Sequence, residues 1–310
     1  MYIQRFTSGL GNQMFQYAFY NYLRKRYPSE RVLADISWYS WNSAHQGFEL
    51  EKLFKREDNP DFVFEKATVF ETWCCSGLLP QTGNLPRFIN RVTRLAAGKH
   101  FERNLYSETG RETENRLKTR IDNLPKGRNL YFTGYFLDEA YYRDELPHLR
   151  RALSFSESRE ELGEENLSLL DEIRNTSSVS IHVRRGDYLN PGYTEAFIKL
   201  GKDYYKKAVD TLLERIEDPK FFVFSDDKEF IEEAFDWLPG RRAVTFNTGE
   251  KSYIDMLLMS KSLGIVTANS TFSQWAGLLN DRPGSLIIYP REYLTEKDSD
   301  VRTIPGWIRI

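Results

Sequence analysis

Apolar positions along the chain keep switching between a period of two and a period near 3.6, and that alternation predicts the elements. Residues 2–6 read as a short strand and residues 7–13 as a glycine loop. Residues 14–27 read as a helix, with Phe15, Ala18, Phe19, Tyr22 and Leu23 on one stripe. Pro28 and Ser29 stop it, and residues 31–35 read as a second strand. Strand, glycine loop, helix, strand is the opening unit of a doubly wound domain. Residues 36–127 are less regular. Residues 62–64 and 68–70 are expected as strands, 85–97 as a helix and 111–124 as polar surface. Residues 129–133 read as a strand and 139–143 as a helix.

From residue 153 the alternation sharpens. An acidic helix over 153–175 precedes a strand at 179–183. A helix over 202–216 sets Tyr205, Ala208, Val209, Leu212 and Leu213 on one face. Strands follow at 221–224, 243–246, 264–268 and 286–289. Between them lie helices from a cap at 225–227 to about Trp237, over 252–260 and over 270–279. No repeat of fixed period is present. The expected architecture is α/β, with two Rossmann-like domains facing a cleft, residues 1–152 and 153–310.

Composition narrows the function classes. A net charge of -2 offers no basic surplus for nucleic acid. No run approaches 18 apolar residues and the start has no apolar leader, so no integral membrane segment is expected. The only cysteines, Cys74 and Cys75, are adjacent and make no disulfide framework. These features suggest a cytoplasmic chain, or one peripheral at the inner membrane. The 18 Tyr, 21 Phe and 6 Trp supply a large core and rings for stacking on sugars or bases.

Four stretches carry candidate chemistry. Residues 179–187, V-S-I-H-V-R-R-G-D, run from a strand into two arginines. Arg184 and Arg185 at the carboxyl edge of a parallel sheet suit an anion, or a charged turn neutralised by Asp187. Gly9-x-Gly11-x-x-Met14, with Asp35 at a strand end beyond, approaches a dinucleotide fingerprint but has Met14 where a third small residue belongs. Asn12 and Gln13 there offer amides to a ligand, or Asn12 caps the helix. Asn269, Ser270, Thr271, Phe272 and Ser273 join a strand to a helix, where hydroxyls and free N–H groups bind phosphate or simply cap. Asp255 stands in an otherwise apolar helix start and needs water or donors such as guanine N1–H and N2–H. Asp226 and Asp227 suit capping better than a metal, and the four histidines have no ligand spacing.

Taken together, G-L-G-N-Q-M-F-Q-Y-A at 9–18, G-Y-F at 134–136, H-V-R-R-G-D-Y at 182–188, F-S-D-D at 224–227 and A-N-S-T-F-S at 268–273 resemble the successive motifs of glycosyltransferase family 11, the α-1,2-fucosyltransferases, here of the bacterial soluble type. The motifs keep the family order and span nearly the whole chain. The resemblance implies the two-domain GT-B arrangement, with the acceptor on the N-terminal side and GDP-fucose on the C-terminal side. It implies an inverting transfer of L-fucose to the 2-hydroxyl of a galactoside, with no metal and no cofactor beyond the donor substrate. Arg184 would grip the donor pyrophosphate, with His182 and Asp255 near the guanine. Ser270, Thr271, Phe272 and Ser273 would meet the phosphates, Asn269 beside them would bind substrate, and Gly11, Asn12 and Gln13 would line the cleft. Asp187 is the candidate base. The expected partners are a sugar nucleotide and an oligosaccharide acceptor. Ser8, Leu137 and Gln274 depart from the family pattern, where a glycine, a glutamine and a tryptophan are usual. The competing readings are a nicotinamide-dependent oxidoreductase built on Gly9, Gly11 and Asp35, and a non-catalytic sugar-nucleotide-binding module.

Overall fold

The computed structural model describes residues 1–42, 45–79, 84–107, 120–184, 198–225, 227–292 and 304–310. The chain divides into two compact units, Met1–Ser154 and Phe155–Ile310. Each is built on a parallel sheet.

In the first unit, β1 (Tyr2–Arg5) runs into α1 (Leu10–Arg26) and β2 (Val32–Asp35). The helix begins earlier than its stripe suggests, with Gly9 as an extended N-cap and no side-chain cap. Gly11, Asn12 and Gln13 therefore lie in its first turn rather than in a loop, and Asn12 is not the cap. The stripe misleads because α1 is buried on most sides and includes Gln13, Gln16 and Asn21 among its buried residues.

After α2 (Leu50–Phe54), residues 62–64 do not form the expected strand. The hydroxyls of Tyr17 and Tyr20 accept the backbone N–H groups of Val63 and Glu65 at 3.1 and 3.2 Å, which removes strand partners. The Phe62 ring stacks on Tyr17, centroids 4.9 Å apart. Residues 68–70 are not a strand either. Thr68 caps α3 (Val69–Ser76) in a capping box with Glu71, a T-x-x-E signal hidden by the β-branched pair Thr68-Val69.

Gly77 ends α3 at φ +68°, and a Cβ there would lie 2.5 Å from the Phe101 ring. Glycine is needed on both counts, because it lets α4 (Asn84–Glu102) close on α3. β3 (Leu105–Ser107) and β4 (Leu130–Thr133) complete the sheet, in the order β2-β1-β4-β3. The expected helix at 139–143 resolves into 3₁₀ turns at Glu139–Tyr141 and Arg143–Glu145, followed by α5 (Leu146–Ala152).

The second unit opens with α6 (Arg159–Asn175), capped by Ser158 and interrupted at Gly163, φ +71°. The alternation then runs β5 (Ser178–Val183), α7 (Lys202–Leu213), β6 (Lys220–Ser225), α8 (Lys228–Ala234), β7 (Arg242–Val244), α9 (Tyr253–Met259), β8 (Gly264–Val266), α10 (Thr271–Leu279), β9 (Leu286–Tyr289) and β10 (Ile308–Arg309). The strand order is β10-β9-β8-β5-β6-β7, all parallel. The chain builds outward from β5 to β7, then crosses back to start again at β8. This is the Rossmann order, and its switch point lies between β5 and β8.

Packing fixes that point. A Cβ on Gly264 would lie 2.9 Å from Val179 on the neighbouring strand and 3.1 Å from Ile216 just beyond α7. Tyr205, Ala208, Val209 and Leu212 bury the inner face of α7 as expected. Leu213 is exposed, one residue and about 100° round the helix from Leu212.

Candidate active site

In an open parallel sheet the ligand crevice lies outside the carboxyl ends of the strands at the switch point. In the second unit this is the end of β5, carrying His182 and Arg184, and the end of β8, carrying Thr267 to Ser273. His182 is buried, and its Nδ1 has no hydrogen-bond partner among the described residues. Thr267 is buried on the adjacent strand, and its Oγ1 is likewise unpaired there. The pairing of β5 with β8 runs as far as Ile181 and Val266, so His182 and Thr267 are the next residues on each strand. Two buried polar atoms without partners are costly, so this is where a ligand would repay them.

Burial, and secondarily the Arg184 charge, push the His182 imidazole down to about 3. It is neutral at physiological pH, able to donate or accept a hydrogen bond but carrying no charge. Its ring lies 5.6 Å from that of Phe272 in the first turn of α10, which joins the end of β5 to the second motif. Ser270 caps α10, its Oγ accepting from Phe272 N at 3.3 Å. Ser273 Oγ accepts from Ala268 N at 3.1 Å and is fully buried, so its hydroxyl shapes the turn. Asn269 donates to Ile198 O at 2.7 Å. Thr271 is part-exposed at the helix start. Of residues 270–273, expected to meet phosphate, Ser273 turns its hydroxyl into the turn instead. Ser273 is committed to the turn and the Asn269 amide to the Ile198 carbonyl, which leaves Ser270, Thr271 and the helix start as the accessible part.

Two residues that the motif reading missed brace this edge. Tyr204 OH donates to Thr267 O at 2.6 Å and Tyr205 OH to His182 O at 3.4 Å. Neighbouring tyrosines in the first turn of α7 thus hold both strand ends. Tyr205 was legible only as a core residue, and nothing in the pattern marked Tyr204.

Asp255 lies in the first turn of α9. Asn247 Nδ2 donates to it at 2.8 Å, and Asn247 is itself doubly paired with Asn166 at 3.0 and 2.9 Å. Part of the residue reaches the surface, but burial of its carboxyl pushes the pKa up to about 7 against the lowering effect of Asn247. The capping role expected of Asp227 is present, its carboxylate accepting from Phe230 N at 2.9 Å. Arg185, Asp187 and Asp226 lie outside the described residues, as do residues 111–119 of the expected polar surface.

In the first unit the switch point lies between β1 and β4. Gln13 does not offer its amide to a ligand. It is fully buried, donating to Ser8 O and Gly47 O at 2.9 and 2.8 Å and accepting from Glu49 N at 2.9 Å. Gly11 is also buried. Asn12 is the only one of the three that is part-exposed, and its side chain makes no hydrogen bond with a described residue. Ser8 adopts φ +67°, and its Oγ lies 3.0 Å from the hydroxyl of Tyr135, a ring 40% exposed. Asp35, the candidate ribose acid, already accepts from Tyr131 OH at 2.5 Å and Ser37 N at 2.8 Å. Asp35 is also buried, 3% exposed, so it does not stand open to a ribose and the nicotinamide reading loses its second element.

The sequence comparisons give the family. The model of glycosyltransferase family 11 matches residues 4–310, and the chain belongs to that family. It is 32% identical over 315 residues to an alpha-1,2-colitosyltransferase of Escherichia coli, covering 99% of this chain and 98% of that protein. It is 28% identical over 323 residues to the O-antigen biosynthesis glycosyltransferase WbnK of Escherichia coli, covering 98% of both. The fold is similar to that of NodZ alpha-1,6-fucosyltransferase from Bradyrhizobium, whose structure was solved after soaking with GDP-fucose. The TM-score is 0.53 at 17% identity, over 90% of this chain and 91% of that one. The fold class is thus that of the GT-B fucosyltransferases.

Proposed function

We propose that this glycosyltransferase moves L-fucose from GDP-fucose to the 2-hydroxyl of a galactoside, with inversion at the anomeric carbon. The observation that carries the reading is the buried, unpaired Nδ1 of His182 beside Arg184 and the start of α10, at the switch point of the second sheet. The acceptor oxygen forms a bond to C1 of the sugar while the bond from C1 to the diphosphate oxygen breaks, through an oxocarbenium-like state. Negative charge grows on the departing GDP. Arg184 and the N–H groups at the start of α10 meet it, where a preorganised donor is worth about 10²–10³ in rate. The proton of the acceptor hydroxyl passes to a base, a role we give to Asp187. The edge carrying Asn12 and Tyr135 is the proposed acceptor side.

A second donor is favoured by the colitosyltransferase relative, since colitose is fucose lacking the 3-hydroxyl. Incubation with GDP-fucose and with GDP-colitose, each against a panel of galactosides, decides between them. Product linkage is read by mass spectrometry and NMR. Transfer from one donor names it. Binding of both without release of GDP leaves a non-catalytic module and ends the proposal.

A further inference from the structure

The first three turns of helix α4 carry large apolar side chains outward. A surface helix of a globular protein turns its apolar stripe to the core. Among the described side chains of those turns the buried one is Asn90, 7% exposed, which donates to Leu79 O at 2.9 Å and accepts from Leu79 N at 2.7 Å. Leu85, Phe88 and Val92, spaced i, i+3, i+7 on one stripe, are 68%, 65% and 46% exposed. Arg87 and Arg91, one turn apart, are exposed along the flank of that stripe. Over its length the helix has Arg87, Arg91, Arg94 and Lys99 against a single acid, Glu102. In α3, just before it, Val69 and Phe70 are exposed as well. Large exposed apolar side chains thus gather on two consecutive helices, in a chain whose net charge is -2.

We propose that α4 is a docking helix for an anionic lipid surface, lying in the plane of the bilayer. Leu85, Phe88 and Val92 enter the boundary between headgroups and acyl chains, and Arg87 and Arg91 meet lipid phosphates. The charge excludes the other occupants. A second copy docked through the same face about a two-fold axis would set Arg87 and Arg91 against their own equivalents. Nor does the helix span the membrane, since no helix among the described residues is long and apolar enough to cross one.

The test is flotation of the full chain with vesicles of phosphatidylcholine alone and of phosphatidylcholine with phosphatidylglycerol. The protein should float with the anionic vesicles, less so at high salt, and little with the neutral ones. The double variant Leu85→Ser/Phe88→Ser should remain unbound with an unchanged unfolding midpoint, because both side chains already face water. Arg87→Gln/Arg91→Gln should lower partitioning roughly 25-fold, at about fivefold per basic residue near the surface. Failure of the wild-type chain to float with anionic vesicles overturns the proposal, and so does wild-type partitioning by the Leu85→Ser/Phe88→Ser variant. A wild-type dimer that this variant dissolves, without vesicle binding by either, assigns the face to self-association and overturns it as well.

Discussion

Asn247 donates its side-chain amide to Asp255 at 2.8 Å while holding Asn166 through a reciprocal amide pair. One hydrogen bond does not offset the burial of the carboxyl, whose pKa stands at about 7. A carboxyl with a raised folded pKa binds more protons folded than unfolded between about 4 and 7. Its contribution is fully present below the unfolded value and is lost as pH rises through about 7. Asp255→Asn should therefore gain stability relative to wild type as pH rises from 5 to 8, read by urea unfolding at both ends of that range. Donor binding should move the other way. Guanine N1–H and N2–H would favour the carboxylate, so wild-type affinity for GDP should climb about tenfold from pH 6 to pH 8. The Asp255→Asn protein should bind more weakly, with no such slope. A pH-independent wild-type affinity by calorimetry would remove Asp255 from the guanine site.

Arg184 is assigned to the charge that develops on GDP, and an ammonium does not copy a planar guanidinium there. Arg184→Lys should lose about 10² or more in kcat, and Arg184→Ala should also weaken GDP binding. His182, with its pKa near 3, should add no slope to the pH profile of donor binding above pH 5. Retained transfer and unchanged GDP affinity in Arg184→Ala would sink the assignment.

The second sheet was legible in the sequence because its strands are buried apolar runs and its helices show one clear face. Val179, Ile181 and Val183 are fully buried, as are Tyr205, Ala208, Val209 and Leu212. The motif at 182–184 and the cap at Ser270 fall where their residue types suggested. The first sheet was harder because polar groups do structural work inside it. Gln13 and Gln16 are buried within an apolar helix, which blurred its start. Tyrosine hydroxyls, rather than a neighbouring strand, take the backbone N–H groups of Val63 and Glu65. On the second sheet Thr267 was invisible for a related reason, because only its strand position beside His182 gives its unpaired hydroxyl a meaning.

The resemblance to the family leads one to expect glycine at position 8, and the backbone of Ser8 gives that expectation a physical ground. At φ +67° a side chain costs about 1–2 kcal/mol, which glycine avoids. Ser8 recovers part of this through the 3.0 Å contact between its Oγ and Tyr135 OH. Ser8→Ala keeps the strain and loses the contact, whereas Ser8→Gly loses the contact and the strain together. Urea unfolding should place Ser8→Gly above Ser8→Ala by about 1 kcal/mol. The reverse order would mean that the hydroxyl, not the backbone, governs this turn.

Gln13 separates a structural role from a ligand role. Its amide ties Ser8 and Gly47 to Glu49 through three hydrogen bonds of 2.8–2.9 Å inside the first unit. Gln13→Leu keeps the volume and removes all three. Ser8 O retains Tyr39 OH as a donor at 2.8 Å, so the loss falls on the Gly47 carbonyl and the Glu49 N–H. At about 1–3 kcal/mol for each orphaned group, the variant should be destabilised by roughly 3 kcal/mol. GDP affinity of the folded protein should stay close to wild type, since the proposed donor edge belongs to the second unit. Asn12→Ala should show the opposite profile, near-native stability with a raised acceptor KM. A Gln13→Leu protein with native stability and lost acceptor affinity would return this glutamine to the list of ligand-binding residues.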